Sequence, residues 1–293
     1  MRLDLYLMEN SETDITRSQI ARGIRDGRVT VNGITVTKAG TILRDTDTVN
    51  FIPEQTRITD EPENIPLNVV FADNHLMVIN KPRGLVVHPG NGVSGGTLLN
   101  ALLFHHPELR NVARCGIVHR LDKNTAGLMV IAKTPAVALK FAQMFETHDV
   151  ARTYNGIVEG AIQTTHGTIN RNIVRHPINR TIYTVTDGPH GRTAVTHWRA
   201  LDNTLTHKTN GRRYTLMEFK LETGRTHQIR VHCKSAGWPL VGDPEYNPNG
   251  AIKCNGQMLE ATSLEFLHPI TGKSMRLEID HTPEFKKVLG VLR

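Results

Sequence analysis

Three prolines, Pro53, Pro62 and Pro66, stand among Asp60, Glu61 and Glu63 in one short acidic stretch. Each proline fixes φ and removes an N–H donor, and composition of this kind resists both helix and central strand. The domain boundary is placed there: a first domain over residues 1–54, a linker over 55–66 and a second domain over 67–293. Both pieces are long enough to bury a core of their own.

Charge separates the two pieces. Residues 1–54 hold 7 Lys+Arg against 8 Asp+Glu, whereas residues 67–293 hold 27 against 17, so the excess behind the net charge of +7 lies in the larger piece. Such an excess points to a polyanion, nucleic acid before membrane, because no amphipathic lipid anchor accompanies it. A basic soluble enzyme without such a partner is the plainer alternative. The longest apolar run, Leu128 to Ala132, is five residues, against the roughly 20 needed to cross a bilayer. Arg2, Asp4 and Glu9 interrupt any secretory apolar region, so a cytoplasmic protein with no membrane association is expected. Cys115, Cys233 and Cys254 form no C-x-x-C pair, which argues against a disulfide scaffold and a cysteine zinc site. No metal is expected at histidine either, since His227 and His232 are five apart rather than four and lack zincin spacing.

The first domain reads as a compact α+β module. A helix starts at a capping Thr16 or Ser18, runs through Ile20 and Ile24, and ends near Gly27. Val29-Thr30-Val31, Asn32-Gly33 and Ile34-Thr35-Val36 then make a hairpin signal. On a 3.6-residue period Arg17, Arg22, Arg25 and Arg28 fall within an arc of about 140°. They are candidates for RNA phosphate contacts, and a solvated helix face is the alternative. The stretch Arg17-Ser18-Gln19-Ile20 through Gly27-Arg28-Val29-Thr30-Val31-Asn32-Gly33 resembles an S4 domain, a small RNA-binding module, over roughly 50 residues.

In the second domain, strand-like runs cover Leu67–Phe71, Leu76–Ile79, Leu128–Ala132, Tyr154–Val158, Val195–Trp198 and Tyr214–Leu221. Helices are predicted over Leu98–Phe104 and, with Thr134 as cap, over Pro135–Glu146, where Val137, Phe141, Met144 and Phe145 form an apolar stripe. Strands outnumber helices without regular alternation. The fold class is therefore α+β, a mixed or antiparallel sheet flanked by helices, rather than a doubly wound fold.

Three polar constellations adjoin strands. His119-Arg120-Leu121-Asp122 leads to Thr125 and Gly127; its carboxylate is a candidate nucleophile or base, or part of a plain polar turn. Arg152-Thr153-Tyr154 offers a ring for a base to stack on, or simply a core tyrosine. Thr223 to His232, with Gly237 and Gly242-Asp243 following, reads as a helix capped by Thr226 and ended by Gly237, with Ile229, Cys233 and Ala236 inward. A guanidinium in its first turns can form a bidentate pair with a distant carboxylate.

Taken together, these segments resemble the RluA family of pseudouridine synthases over most of residues 67–285. The resemblance also rests on Val78-Ile79-Asn80-Lys81-Pro82 with Gly84, Val87-His88-Pro89, Gly96-Thr97-Leu98-Leu99-Asn100-Ala101-Leu102 and Arg175-His176-Pro177. Asn124, Ala126 and Glu260 depart from the family's usual aspartate, serine and Leu-His-Ala pattern. The resemblance implies a pseudouridine synthase fold and isomerisation of uridine to pseudouridine in RNA without a cofactor. It makes Asp122 the catalytic carboxylate, Arg230 its partner, Tyr154 the residue that stacks on the flipped base and a candidate for removing the C5 proton, and Arg120 the filler of the gap left in the stack. An S4 domain ahead of such a domain is the arrangement of the subgroup acting on large-subunit ribosomal RNA, and a monomer is expected. The alternatives are a transfer-RNA substrate and an RNA-binding ribosome assembly factor without required activity.

Overall fold

The computed structural model describes residues 1–10, 17–44, 46–51, 61–90, 93–179, 181–188 and 190–293, with backbone alone at 9 and 17–19. The expected cap at Thr16 or Ser18, the Arg17 side chain and the linker residues 52–60 lie outside the described residues. The chain forms two compact units, Met1–Ile58 and Thr59–Arg293.

In the first unit, helices α1 (Leu3–Asn10) and α2 (Arg17–Arg25) bury Leu3, Leu7, Ile20 and Ile24. They pack with Val29 of a small sheet in which β1 (Val29–Val31) lies between β2 (Ile34–Thr35) and β3 (Val49–Phe51). Asn32 and Gly33 both take positive φ, 51° and 79°, as the tight hairpin turn requires. The arginine arc does not form as the helical period predicts. Helix α2 ends at Arg25, the chain turns through Gly27 at φ 73°, and Arg28 sits beyond the helix, bonded to Asp26 at 2.8 Å. Arg22 and Arg25 are exposed on α2.

The second unit is built on strands β4 (Val69–Ala72), β5 (Leu76–Lys81), β6 (Ala126–Ala132), β7 (Ala151–Glu159), β8 (His166–Asn170), β9 (Asn172–Arg175), β10 (Tyr183–Thr186), β11 (Val195–Asp202), β12 (Tyr214–Leu221), β13 (Leu259–Leu267) and β14 (Ser274–Glu278). Its helices are α3 (Leu98–His105), α4 (Pro135–Glu146), α5 (Gln228–Ser235) and α6 (Pro283–Leu292). Nine strands make one sheet in the order β4-β5-β6-β13-β7-β12-β11-β8, with β14 paired to β13; β9 and β10 form a separate hairpin. The β6–β13 pair is parallel and the other pairs are antiparallel, so the sheet is mixed.

Both faces of the sheet are covered at β6, which is why that strand is apolar at every position. Met77, Ile79, Met129 and Ile131 pack towards α3, while Leu76, Val78, Leu128 and Val130 pack towards Val137 and Phe141 of α4. Thr97 and Asn100 form a capping box on α3, and the Thr134 hydroxyl accepts from Val137 N on α4. Two residues longer than its apolar run implies, β6 reaches back to Ala126 and Gly127 because these pair with Glu260 and Ala261 of β13. A Cβ on Gly127 would lie 2.2 Å from Ala261 O, so only glycine fits where the loop over residues 119–125 enters the sheet.

Helix α5 corrects two expectations. Its N-cap is His227 in the left-handed region, not Thr226. The Gln228 side chain folds back to accept from Thr223 Oγ1 at 2.8 Å and Arg225 N at 3.0 Å, which supplies the start that a capping threonine would have given. Ile229 and Cys233 are buried, but Ala236 is exposed because the helix has ended at Ser235.

Candidate active site

The segment from His119 to Thr125 crosses the sheet end as a loop whose backbone carbonyls are held by two buried cations. Lys81, at the end of β5, is fully buried, and its Nζ donates to the carbonyls of Pro82, Leu85 and Lys123 at 2.9, 2.9 and 3.0 Å. Arg83 Nη1 donates to Asn124 O at 2.5 Å and to Gln257 O. At the loop's exit, Gln257 Nε2 donates to Thr125 Oγ1 at 3.0 Å, and at its entrance His119 Nε2 accepts from Val130 N at 2.9 Å. Burial, with Arg152 nearby, pushes His119 down to about 3, so its neutral ring serves as that acceptor. Asp122 is thus presented from a loop fixed at both ends.

Facing it, Arg230 projects from the first turn of α5 and is 4% exposed. Its Nη1 donates to Asp122 Oδ2 at 3.3 Å. The stronger partner is Asp243, fully buried, which accepts from Nε at 2.7 Å and Nη2 at 2.8 Å in a bidentate pair. Glu245 accepts a further bond at 2.6 Å, and the Tyr246 ring lies 4.9 Å from the guanidinium carbon. Burial opposes the charge on Arg230, but Asp243, Asp122 and Glu245 outweigh it and raise the guanidinium well above its ordinary value. Asp243 therefore fixes the arginine, and the arginine faces Asp122.

Asp122, Arg230, Tyr154 and Arg120 all line one cleft of about 660 Å³. Tyr154, on β7, is 5% exposed. Burial raises its phenol; Arg152 lowers it and Asp122 adds to the rise, so the ring enters the cleft protonated. Arg114, Arg120, Arg152 and Arg225 also line this cleft. Their field is felt at His88, which burial and then Arg114 and Arg120 push down to about 4. Arg22, Arg25 and Arg28 belong to the first unit.

Lys81, Arg83, Arg152 and Asp243 also build the site, and each sits inside or beside one of the motifs of the sequence with no local pattern that marks its role. Glu260 is buried at 1% exposure, where it accepts from Thr282 N and His281 Nδ1, both at 3.2 Å, and lies 3.6 Å from Arg83 Nη2. This carboxylate steadies the arginine that holds the loop. Among the described residues no group of His, Cys, Asp and Glu is arranged to hold a metal, and no helix is long and apolar enough to cross a membrane.

Residues 75–235 match the family described as RNA pseudouridylate synthase, and residues 1–49 match the S4 domain. An uncharacterised RNA pseudouridine synthase of Synechocystis is 42% identical over 303 residues, covering 100% of this chain and 89% of that protein. The ribosomal large subunit pseudouridine synthase D of Vibrio vulnificus is 40% identical over 306 residues, covering 100% and 91%. Among solved structures, human RNA pseudouridylate synthase domain containing 4 superposes with a TM-score of 0.60 at 23% identity, covering 77% of this chain and 92% of that one, a likeness of fold.

Proposed function

The chain belongs to the RNA pseudouridylate synthase family, with an S4 domain ahead of the synthase domain, and from that premise we propose that it isomerises specific uridines of large-subunit ribosomal RNA. The observation that carries the site assignment is the Asp122–Arg230 contact at 3.3 Å, in a basic cleft, between residues 108 apart in sequence. The N1 glycosidic bond breaks, the base turns, C5 bonds to C1′ and loses its proton, and N1 gains one, so the net change is an isomerisation. Asp122 is the catalytic carboxylate, acting at C1′ or on a ribose proton. Arg230 fixes its orientation. Tyr154 takes the flipped uracil against its ring, and its raised phenol suits stacking better than removal of the C5 proton by a resting phenolate. Arg120, exposed at the cleft, fills the place the uridine leaves. Arg22, Arg25 and Arg28 of the S4 domain contribute phosphate contacts, as does Arg17. The protein works as a cytoplasmic monomer.

Tritium release from 5-tritiated uridine distinguishes the readings. Large-subunit ribosomal RNA transcripts should release label in the presence of the protein; release from transfer RNA alone, or from neither, contradicts the assignment and favours the respective alternative.

A pH dependence follows from Lys81. Burial pulls its ammonium down to about 7, Asp122 holding it up and Arg83 adding to the fall. Below that pH three N–H donors meet three carbonyls; above it the neutral amine has two and no charge beside Asp122. The single-turnover rate should therefore fall as pH rises through about 7, and Lys81→Met should be slow at every pH with that limb absent. A wild-type rate flat across neutral pH contradicts this role.

A further inference from the structure

A second cleft of about 440 Å³ adjoins the first, and Gly224, Arg225 and Thr226 line both. Its opposite wall is the β9–β10 hairpin with Gly191 and Arg192. Arg175, Arg192 and Arg225 bring three guanidinium groups to it, and no carboxylate lines it among the described residues. Tyr183 is held there at both ends: its N–H donates to Tyr246 Oη at 2.8 Å, and Arg175 lies 5.3 Å from its ring centre while donating to its hydroxyl at 3.1 Å. Unstacked nucleotides in RNA are held by such aromatic and guanidinium faces.

Arg152 lines the first cleft beside Gly224, one of the residues that the two clefts share. It is 9% exposed, its guanidinium carbon is 5.2 Å from the Phe145 ring centre, and its buried Nε has no hydrogen-bond partner among the described residues. Enclosing an arginine without a carboxylate to meet it is costly, and a phosphodiester supplies the missing acceptors in bidentate geometry. Gly224 keeps this point open. A Cβ there would lie 2.7 Å from Arg152 Nη1 and would cover the guanidinium on that side.

We propose, building on the uridine-isomerising reading of the first cleft, that Arg152 binds the phosphodiester joining the target uridine to one neighbour, and that this neighbour is unstacked into the second cleft. The subsite contacts a phosphate and the faces of a base, so it recognises an extruded nucleotide rather than a particular base identity. The enzyme would then open the RNA at two adjacent positions.

The test uses the full chain, a stem-loop RNA containing the target uridine, and two shortened RNAs that end at that uridine on its 5′ or its 3′ side. Affinity is read by fluorescence anisotropy at several salt concentrations, and isomerisation separately under single turnover. The Arg175→Ala/Arg192→Ala double variant, altered only at exposed positions outside the first cleft, should bind the complete RNA about ten-fold more weakly with a salt slope lower by about one to two units. Removing the neighbour on one side only should cost wild type about the same ten-fold, and the double variant should lose nothing further on that RNA. Arg152→Gln should show the same pattern, its fold checked by thermal melting. Wild-type affinity and salt slope in the double variant, or equal losses on complete and shortened RNAs, would overturn the subsite. A wild type that binds these RNAs in the predicted pattern but isomerises none contradicts the pseudouridine synthase reading and leaves the binding result decisive for the subsite.

Discussion

Replacing Asp122 by asparagine should lower the single-turnover rate by at least about 10⁴-fold while changing RNA affinity little. The amide keeps the shape of the side chain and can still accept from Arg230 Nη1, which lies 3.3 Å from Oδ2 in the native site. It can neither attack C1′ nor take a ribose proton. The loop should hold its place, because its anchors are backbone carbonyls of Lys123 and Asn124 gripped by Lys81 and Arg83, not the Asp122 carboxylate. The measurement is a rate under saturating enzyme beside an affinity from anisotropy. Substantial residual isomerisation would remove Asp122 from the chemistry, whereas a matched loss of affinity would mean that the residue serves binding.

Arg230→Ala should be the most destabilising change in the site as well as an inactivating one. It strands Asp243, which is fully buried and accepts both forks of the guanidinium, and it leaves Asp122 and Glu245 without their shared cation. Breaking a buried pair from one side costs about 3 to 5 kcal/mol, which lowers the melting temperature by roughly 10 °C in a domain of this size. Most of that penalty belongs to Asp243, so an Arg230→Ala/Asp243→Ala double variant should recover part of the melting temperature and none of the activity. Arg230→Lys keeps a charge but not the fork and should fall between in stability. An Arg230→Ala protein that melts with wild type would contradict the network described here.

Where the determinants are local, the sequence was sufficient. Pro135–Glu146 is helical over the span its cap and stripe predict, since Thr134 meets Val137 N three residues on and Phe141 packs under the same turns. The mixed sheet followed from the number and spacing of apolar runs. Determinants that are distant escaped. The Asp122–Arg230 pair was reachable only through the family resemblance, because no periodicity links residues 108 apart. Asp243 belongs to the Gly242-Asp243 motif, yet its place as the main partner of Arg230 depends on how the chain after α5 returns. Strand β13 was invisible because it buries Glu260, whose polarity argues against a core strand until Arg83, His281 and Thr282 supply partners. The arginine arc failed for the opposite reason: the helical period was extended to Arg28, past the turn at Gly27.

Whether this protein isomerises uridines of large-subunit ribosomal RNA through Asp122 is read from a pseudouridine map of that RNA in cells lacking this gene, complemented with wild type or with Asp122→Asn. Loss of modification at defined uridines, restored by the wild-type protein and not by the asparagine variant expressed at equal level, is the predicted result. A map unchanged by the deletion, or one restored by Asp122→Asn, would contradict it.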